Sequence, residues 1–177
     1  MPDEISNVSR LVVVLPLLPL MAGDAFTLRE WPLHVTAAPT FVIAGGLPTA
    51  LPAVTDVLQA QQTLVLRVGP EEGFGHAMNV PVSLVEPTTE LIRLHESLVT
   101  ALLAAGAQFD DPEFVGAGYR PHITLKGVAA LQPGAGLTLQ QAAVVDMAPA
   151  GDRRVREVVW TTELTRGVGP SGCQATG

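Results

Sequence analysis

Residues 118–127, GYRPHITLKG, change side-chain character with a period of two. An extended strand turns that period into two faces, with Arg120, His122, Thr124 and Lys126 on one and Pro121, Ile123 and Leu125 on the other. A chain made of such runs must form sheets that bury one face and leave the other wet. Alternation alone does not separate a solvated face from a working one. The rest of the chain has to decide.

Other short β-branched runs recur between proline and glycine breaks. They predict strands at about 11–19, at 31–44 (WPLHVTAAPTFVIA), 63–68 (TLVLRV), 79–87 (NVPVSLVEP), 137–145 (LTLQQAAVV) and 155–164 (VREVVWTTEL). The segment GPEEGFG reads as a loop ending the third of these, and AQFDDPEFVGAG as a loop leading into residues 118–127. Two segments read as helices instead. In TTELIRLHESLVTALLAAG, Leu91, Leu94, Leu98, Val99 and Leu102 form one stripe, Thr88 or Thr89 can cap the start, and Gly106 suits a left-handed end. LPTALPAVTDVLQAQQ is a shorter amphipathic candidate, in which Pro52 fits only the first turn. The expected class is α+β, with mixed or antiparallel sheets.

At 177 residues the chain suits one domain or two small lobes sharing a core, and 47% hydrophobic with 15% charged residues is a globular composition. A net charge of −7, with only ten lysines and arginines, argues against a grip on long nucleic acid through many phosphates. A small anion held by a few focused donors stays open. The single cysteine, Cys173, lies in a glycine-rich tail, so no disulfide framework is expected and a reducing cytoplasm fits. The tail, residues 167–177, is expected to be disordered, which makes Cys173 a poor nucleophile. The apolar run starting at Leu11 resembles the core of a secretory leader. Its flank MPDEISNVSR is net acidic, however, and the run is short and interrupted by Pro16 and Pro19, so a buried strand is the better reading and no membrane span is expected.

The first half of the chain contains an echo of the second. In WPLHVTAAP, His34 and Thr36 share a face, with Leu33, Val35 and Ala37 on the other. Both copies read His-apolar-Thr with proline just upstream, and two of the four histidines are followed by threonine at this spacing. These residues suit in-line displacement at a phosphodiester. One imidazole takes a proton from the nucleophile, the other protonates the departing oxygen, and each threonine hydroxyl donates to a non-bridging oxygen. The plain alternative for each histidine is a surface position on a wet strand.

With HVT at 34–36 and HIT at 122–124 inside PHITL, the chain resembles the two-histidine (2H) phosphoesterases, a family that includes 2'-5' RNA ligase-like proteins and cyclic phosphodiesterases. The resemblance spans about residues 10–165. It departs in the short MAGDAFTLRE where a helix is usual, and in the AAP that follows the first motif. It implies a bilobal fold over residues 1–166, with two pseudo-symmetric lobes, each with a helix, around an active cleft. It also implies catalytic roles for His34, His122, Thr36 and Thr124, a monomer, no cofactor and no metal. A small nucleotide or an RNA end, carrying a cyclic phosphate or a 2'-5' linkage, is the expected substrate. The alternatives are degradation of cyclic oligonucleotide signals, a silent module binding a phosphorylated ligand, or a secreted protein.

Further candidates surround the second motif. Arg120 and Lys126 share the face of His122 and can add charge to a phosphate pocket, or be solvated strand ends. Tyr119 can stack on a base, although parity points it toward packing. Phe74 and His76 lie on the GPEEGFG loop and its continuation, either a lid or an ordinary turn. His95 falls within the apolar stripe of the long helix and reads as a core histidine with a satisfied nitrogen. The four histidines have no close metal-binding spacing.

Overall fold

The structure, a computed structural model, describes residues 7–167. Cys173 and the expected tail beyond residue 167 lie outside the described residues. Among the described residues ten strands and two α-helices follow in the order β1 (Val8–Pro16), β2 (Ala25–Thr27), β3 (His34–Ala44), α1 (Leu47–Gln59), β4 (Leu64–Phe74), β5 (Val80–Val85), α2 (Thr89–Ala104), β6 (Gln108–Phe109), β7 (His122–Thr124), β8 (Gly136–Leu139), β9 (Gln141–Asp146) and β10 (Val155–Glu163). They form two antiparallel sheets, one ordered β2-β10-β9-β1-β3-β6 and the other β7-β5-β4-β8.

The leader-like run is β1. It lies between β9 and β3, and Leu11 to Leu15 are all buried, which explains an apolar run without alternation. On one face of that sheet, Leu11, Val13, Leu15, Val35, Phe41 and Ile43 meet the buried stripes of both helices, and this core continues into the second sheet through Leu66 and Ile123. The helices pack against each other and against β3. On the opposite face a smaller cluster gathers Val12, Val14, Val145 and Val158 around Trp31. Among the described residues no helix is long and apolar enough to cross a membrane.

The stripe of α2 is buried as expected, with His95 among it; Thr88 Oγ1 accepts from the Leu91 N–H at 3.2 Å, and Gly106 has φ 91°. Helix α1 departs from expectation, because Pro48 occupies its first turn and Pro52 lies inside it. Strand β4 also runs further than expected. A register shift between Val68 and Glu71 absorbs Pro70, and the strand continues to Phe74. The expected GPEEGFG loop is therefore largely strand. Gly73 is required there by proximity, since a Cβ would lie 2.2 Å from the Met78 carbonyl oxygen.

Two further differences concern strand partners. LTLQQAAVV is two strands, because Leu139 pairs with Leu64 in the smaller sheet while Gln141 pairs with Glu163 in the larger one. Gln140 is the crossing point, with no glycine or proline to announce it. Buried Gln141 secures the crossing through its side-chain amide, which accepts from Leu20 N–H at 2.8 Å and donates to Leu20 C=O at 3.0 Å. Residues 118–127 keep only His122–Thr124 as strand, paired with Leu84, Ser83 and Val82 of β5. The short strands β2 and β6 had no signal strong enough to predict them.

Candidate active site

Strand β3 starts at His34 and β7 starts at His122, one in each sheet. Val35 and Ile123 are fully buried, and the flanking His34, Thr36, His122 and Thr124 all line one cavity of about 590 Å³. The parity of the two motifs thus points four side chains into a shared space. Each imidazole is anchored in the same way. His34 Nδ1 lies 2.8 Å from the Pro32 carbonyl oxygen, and His122 Nδ1 lies 2.8 Å from that of Arg120. A carbonyl only accepts, so each Nδ1 carries the proton and each Nε2 is left to the cavity.

Both imidazoles sit below their ordinary titration range. Burial lowers His34 to about 4, against an opposing contribution from the Pro32 carbonyl, and the nearby charges of Lys126 and His122 lower it further. Burial lowers His122 as well, with the Arg120 charge adding to it. Both rings are therefore neutral at pH 7.

An aromatic ring faces each imidazole. Trp31 lies 4.2 Å from His34 between centroids, and Phe74 lies 4.6 Å from His122. Lys126 and Arg120 cover the two rings, at 4.5 Å over Trp31 and 4.9 Å over Phe74. The cations differ in what else they bind. Arg120 Nη2 donates to both carboxylate oxygens of Glu72 at 3.0 and 2.9 Å, whereas Lys126 donates to the Leu28 carbonyl at 2.9 Å. Burial and Arg156 both lower the titration of Lys126.

Tyr119 takes a supporting place. It touches the cavity, and its hydroxyl donates to the Thr36 carbonyl at 2.7 Å while its ring stacks on His95 at 3.8 Å, nearly parallel. His95 is fully buried with both nitrogens satisfied, since Nδ1–H donates to the Ala37 carbonyl and Nε2 accepts from Gly116 N–H, each at 2.9 Å. His76 is exposed on the turn after β4 and does not line the cavity, unlike its neighbour Phe74. Sequence reasoning missed Trp31, Glu72, Met78, Asp111 and Phe114, all of which line the cavity. Trp31 had a signal, an aromatic just ahead of the first motif. Glu72 was hidden in the segment read as a loop, and Asp111 and Phe114 arrive only through the turns at 112–118.

Among the described residues no group of three or more His, Cys, Asp or Glu side chains is placed to hold a metal ion. What the cavity does offer is two neutral imidazoles, the Thr36 and Thr124 hydroxyls beside them, and one cation without a carboxylate partner. That set can move protons at two positions and bind an anion between them.

Comparison with known proteins bears on the family and the fold. The sequence model of the 2'-5' RNA ligase superfamily matches residues 22–159. Among solved structures, Escherichia coli LigT complexed with 3'-AMP is similar with a TM-score of 0.56 and 16% identity, over 90% of this chain and 99% of that one. TT0787 of Thermus thermophilus is similar with a TM-score of 0.56 and 17% identity, over 89% and 98% of the two chains. A structure described only as a phosphoesterase also has a TM-score of 0.56 and 17% identity, over 89% and 99%. No curated protein matches the chain in sequence. At these identities the structural likenesses speak for the fold, and the sequence match over most of the chain speaks for ancestry: this chain belongs to the 2'-5' RNA ligase superfamily, consistent with the 2H phosphoesterases.

Proposed function

We propose that this chain is a metal-independent phosphodiesterase that opens a cyclic phosphate or cleaves a 2'-5' type linkage in a small nucleotide or RNA end. The observation that carries this reading is the pair of Nδ1-anchored imidazoles sharing one cavity with Thr36 and Thr124. In hydrolysis one neutral imidazole removes a proton from water as its oxygen bonds to phosphorus. The phosphorus bond to the departing ribose oxygen breaks, and the other imidazole, protonated, delivers its proton there. The two histidines end with their protonation exchanged, and solvent restores them. With a ribose 5'-hydroxyl in the place of water, the same proton transfers would open a cyclic phosphate into a 2'-5' linkage, the cyclic ester oxygen leaving with the second proton.

Thr36, Thr124 and Lys126 suit the non-bridging oxygens, where negative charge must be held. Arg120 is already neutralised by Glu72, which leaves little positive charge for a long polyanion and supports a small substrate. LigT structures of similar fold include complexes with 3'-AMP, ATP, NADP+ and phosphate, which supports a phosphate-bearing ligand here. Both motifs come from one chain, so a monomer is sufficient, and a reducing, cytoplasmic setting suits its single cysteine.

A hydrolysis screen in the presence of EDTA tests this reading, using 2',3'-cyclic nucleotides, 2'-5' oligoadenylate and cyclic oligonucleotides. Turnover of at least one class that is lost in His34→Ala and His122→Ala is expected. Tight binding of these compounds with no turnover would instead identify a silent phosphate-ligand module.

A further inference from the structure

A hydrogen bond at Nδ1 does not by itself aim Nε2, because the outer side-chain torsion of histidine is broad. A second restraint on the ring face is needed. We propose that Trp31 and Phe74 supply it, each a positioning residue in contact with one histidine of the pair and covered by one cation, an inference that rests on the acid/base reading above. The two arrangements repeat one pattern: His34, Trp31 and Lys126 on one side, His122, Phe74 and Arg120 on the other.

Each aromatic is itself held. Trp31 is only 9% exposed, packs among Val12, Val14, Leu20 and Met147, and has the Arg156 guanidinium 5.9 Å from its ring as well as the Lys126 ammonium. A cation over an indole or phenyl face is attracted by the ring's negative face, most strongly where water is excluded. Phe74 closes β4, and its covering cation Arg120 is fixed by two hydrogen bonds to Glu72.

The two sides are not equivalent. Trp31 precedes β3 in the larger sheet and Lys126 follows β7 in the smaller one, so the His34 stack joins the sheets. Phe74, His122 and Arg120 all belong to β4, β7 or the residues leading into β7. The charge of Arg120 is compensated by Glu72, while that of Lys126 meets a neutral carbonyl. His34 therefore faces a cation without a carboxylate partner, a charge that adds to the larger effect of burial on its ring, while His122 faces one paired with Glu72. The remaining titratable groups lining the cavity are Asp111 and Tyr119, and behind Trp31 the charge of Arg156 is felt together with Arg10 and Asp146.

The test compares Trp31→Leu and Phe74→Leu with the aromatic replacements Trp31→Phe and Phe74→Tyr. Imidazole titrations are followed by NMR on the full chain and assigned with His34→Gln and His122→Gln. Trp31→Leu is expected to move the His34 titration up toward 6.5 and leave His122 in place, and Phe74→Leu to do the converse. Each leucine variant should lose on the order of 10- to 100-fold in kcat with a smaller change in KM, and the aromatic replacements should recover most of it. Folded leucine variants whose imidazoles both titrate as in the parent, or both move alike, would overturn the proposal. If Trp31→Leu does not fold, Trp31→Phe decides, since its smaller ring must still shift His34 alone. The titrations need no substrate, so a chain inert toward every phosphodiester would sink the functional reading and leave this assignment to the imidazole shifts.

Discussion

His34 and His122 reach the cavity as neutral rings, each with its proton held on Nδ1 by a carbonyl two residues upstream. A pair that works as acid and base needs one proton on Nε2. Both titrations in the free enzyme lie below 6.5, so the singly protonated pair is most populated on the acid side of that value. The optimum of kcat/KM is therefore expected below pH 6.5, and that of kcat higher, because a bound phosphate anion favours the imidazolium. A kcat/KM optimum at pH 7.5 or above would contradict this. Removing either imidazole, in His34→Ala or His122→Ala, should cost on the order of 10²–10⁴ in kcat, and the double variant little more. Thr36→Val and Thr124→Val should each cost less, since each removes a single donor. These residues were legible because side-chain parity within a strand is a local property. Parity also marked Arg120 and Lys126, but that Lys126 covers Trp31 beside the other motif and that Phe74 faces His122 are contacts between elements, which spacing does not record.

At the scale of elements, β3 is tied to α2 and to the turns at 112–118 through two stacked rings. His95 joins the Ala37 carbonyl to the Gly116 N–H, and Tyr119 holds the Thr36 carbonyl. His95→Leu leaves a buried acceptor and a donor without partners, and is expected to lower unfolding free energy by roughly 2–4 kcal/mol in a denaturant titration. Its kcat should stay within about tenfold of the parent, in contrast to His34→Ala. Glycine at 118 is required by crowding, because a Cβ there would lie 1.8 Å from the Glu113 carbonyl oxygen. Gly118→Ala should therefore displace the turn that carries Phe114 and raise KM more than it lowers kcat. Periodicity located α2, its cap and the inward His95. It could not show that LTLQQAAVV divides between two sheets, because a run of β-branched residues records a preference for extension and not the identity of its partner.

For the molecule as a whole, His34, His95 and His122 all titrate below 6.5 in the folded state, each chiefly through burial. The unfolded chain then binds more protons below that value than the folded one, so stability is fully present above pH 6.5 and falls as pH falls, for His34 down to about 4. Urea midpoints should drop between pH 7.5 and pH 5 with little change in slope, and His34→Gln should weaken the dependence. Rising stability over that range would contradict the sign. The net charge of −7 also bears on substrates. Long single-stranded RNA is expected to bind no more tightly than a dinucleotide, with a shallow dependence on salt, whereas a steep salt slope would reveal a phosphate-binding track outside the cavity.

Strand character, the long helix, the two motifs and the inward or outward sense of the side chains within those motifs were written in the sequence alone, because each depends on the residue's own backbone and its nearest neighbours. Charge balance, a sum over the chain, was equally plain. The tertiary structure decided which strands share a sheet, that β4 runs on to Phe74, and that Trp31, Glu72, Asp111 and Phe114 meet the motifs around one cavity. The physical reason is that pairing and stacking between distant residues are set by how the whole core packs, a property that no local stretch of sequence holds.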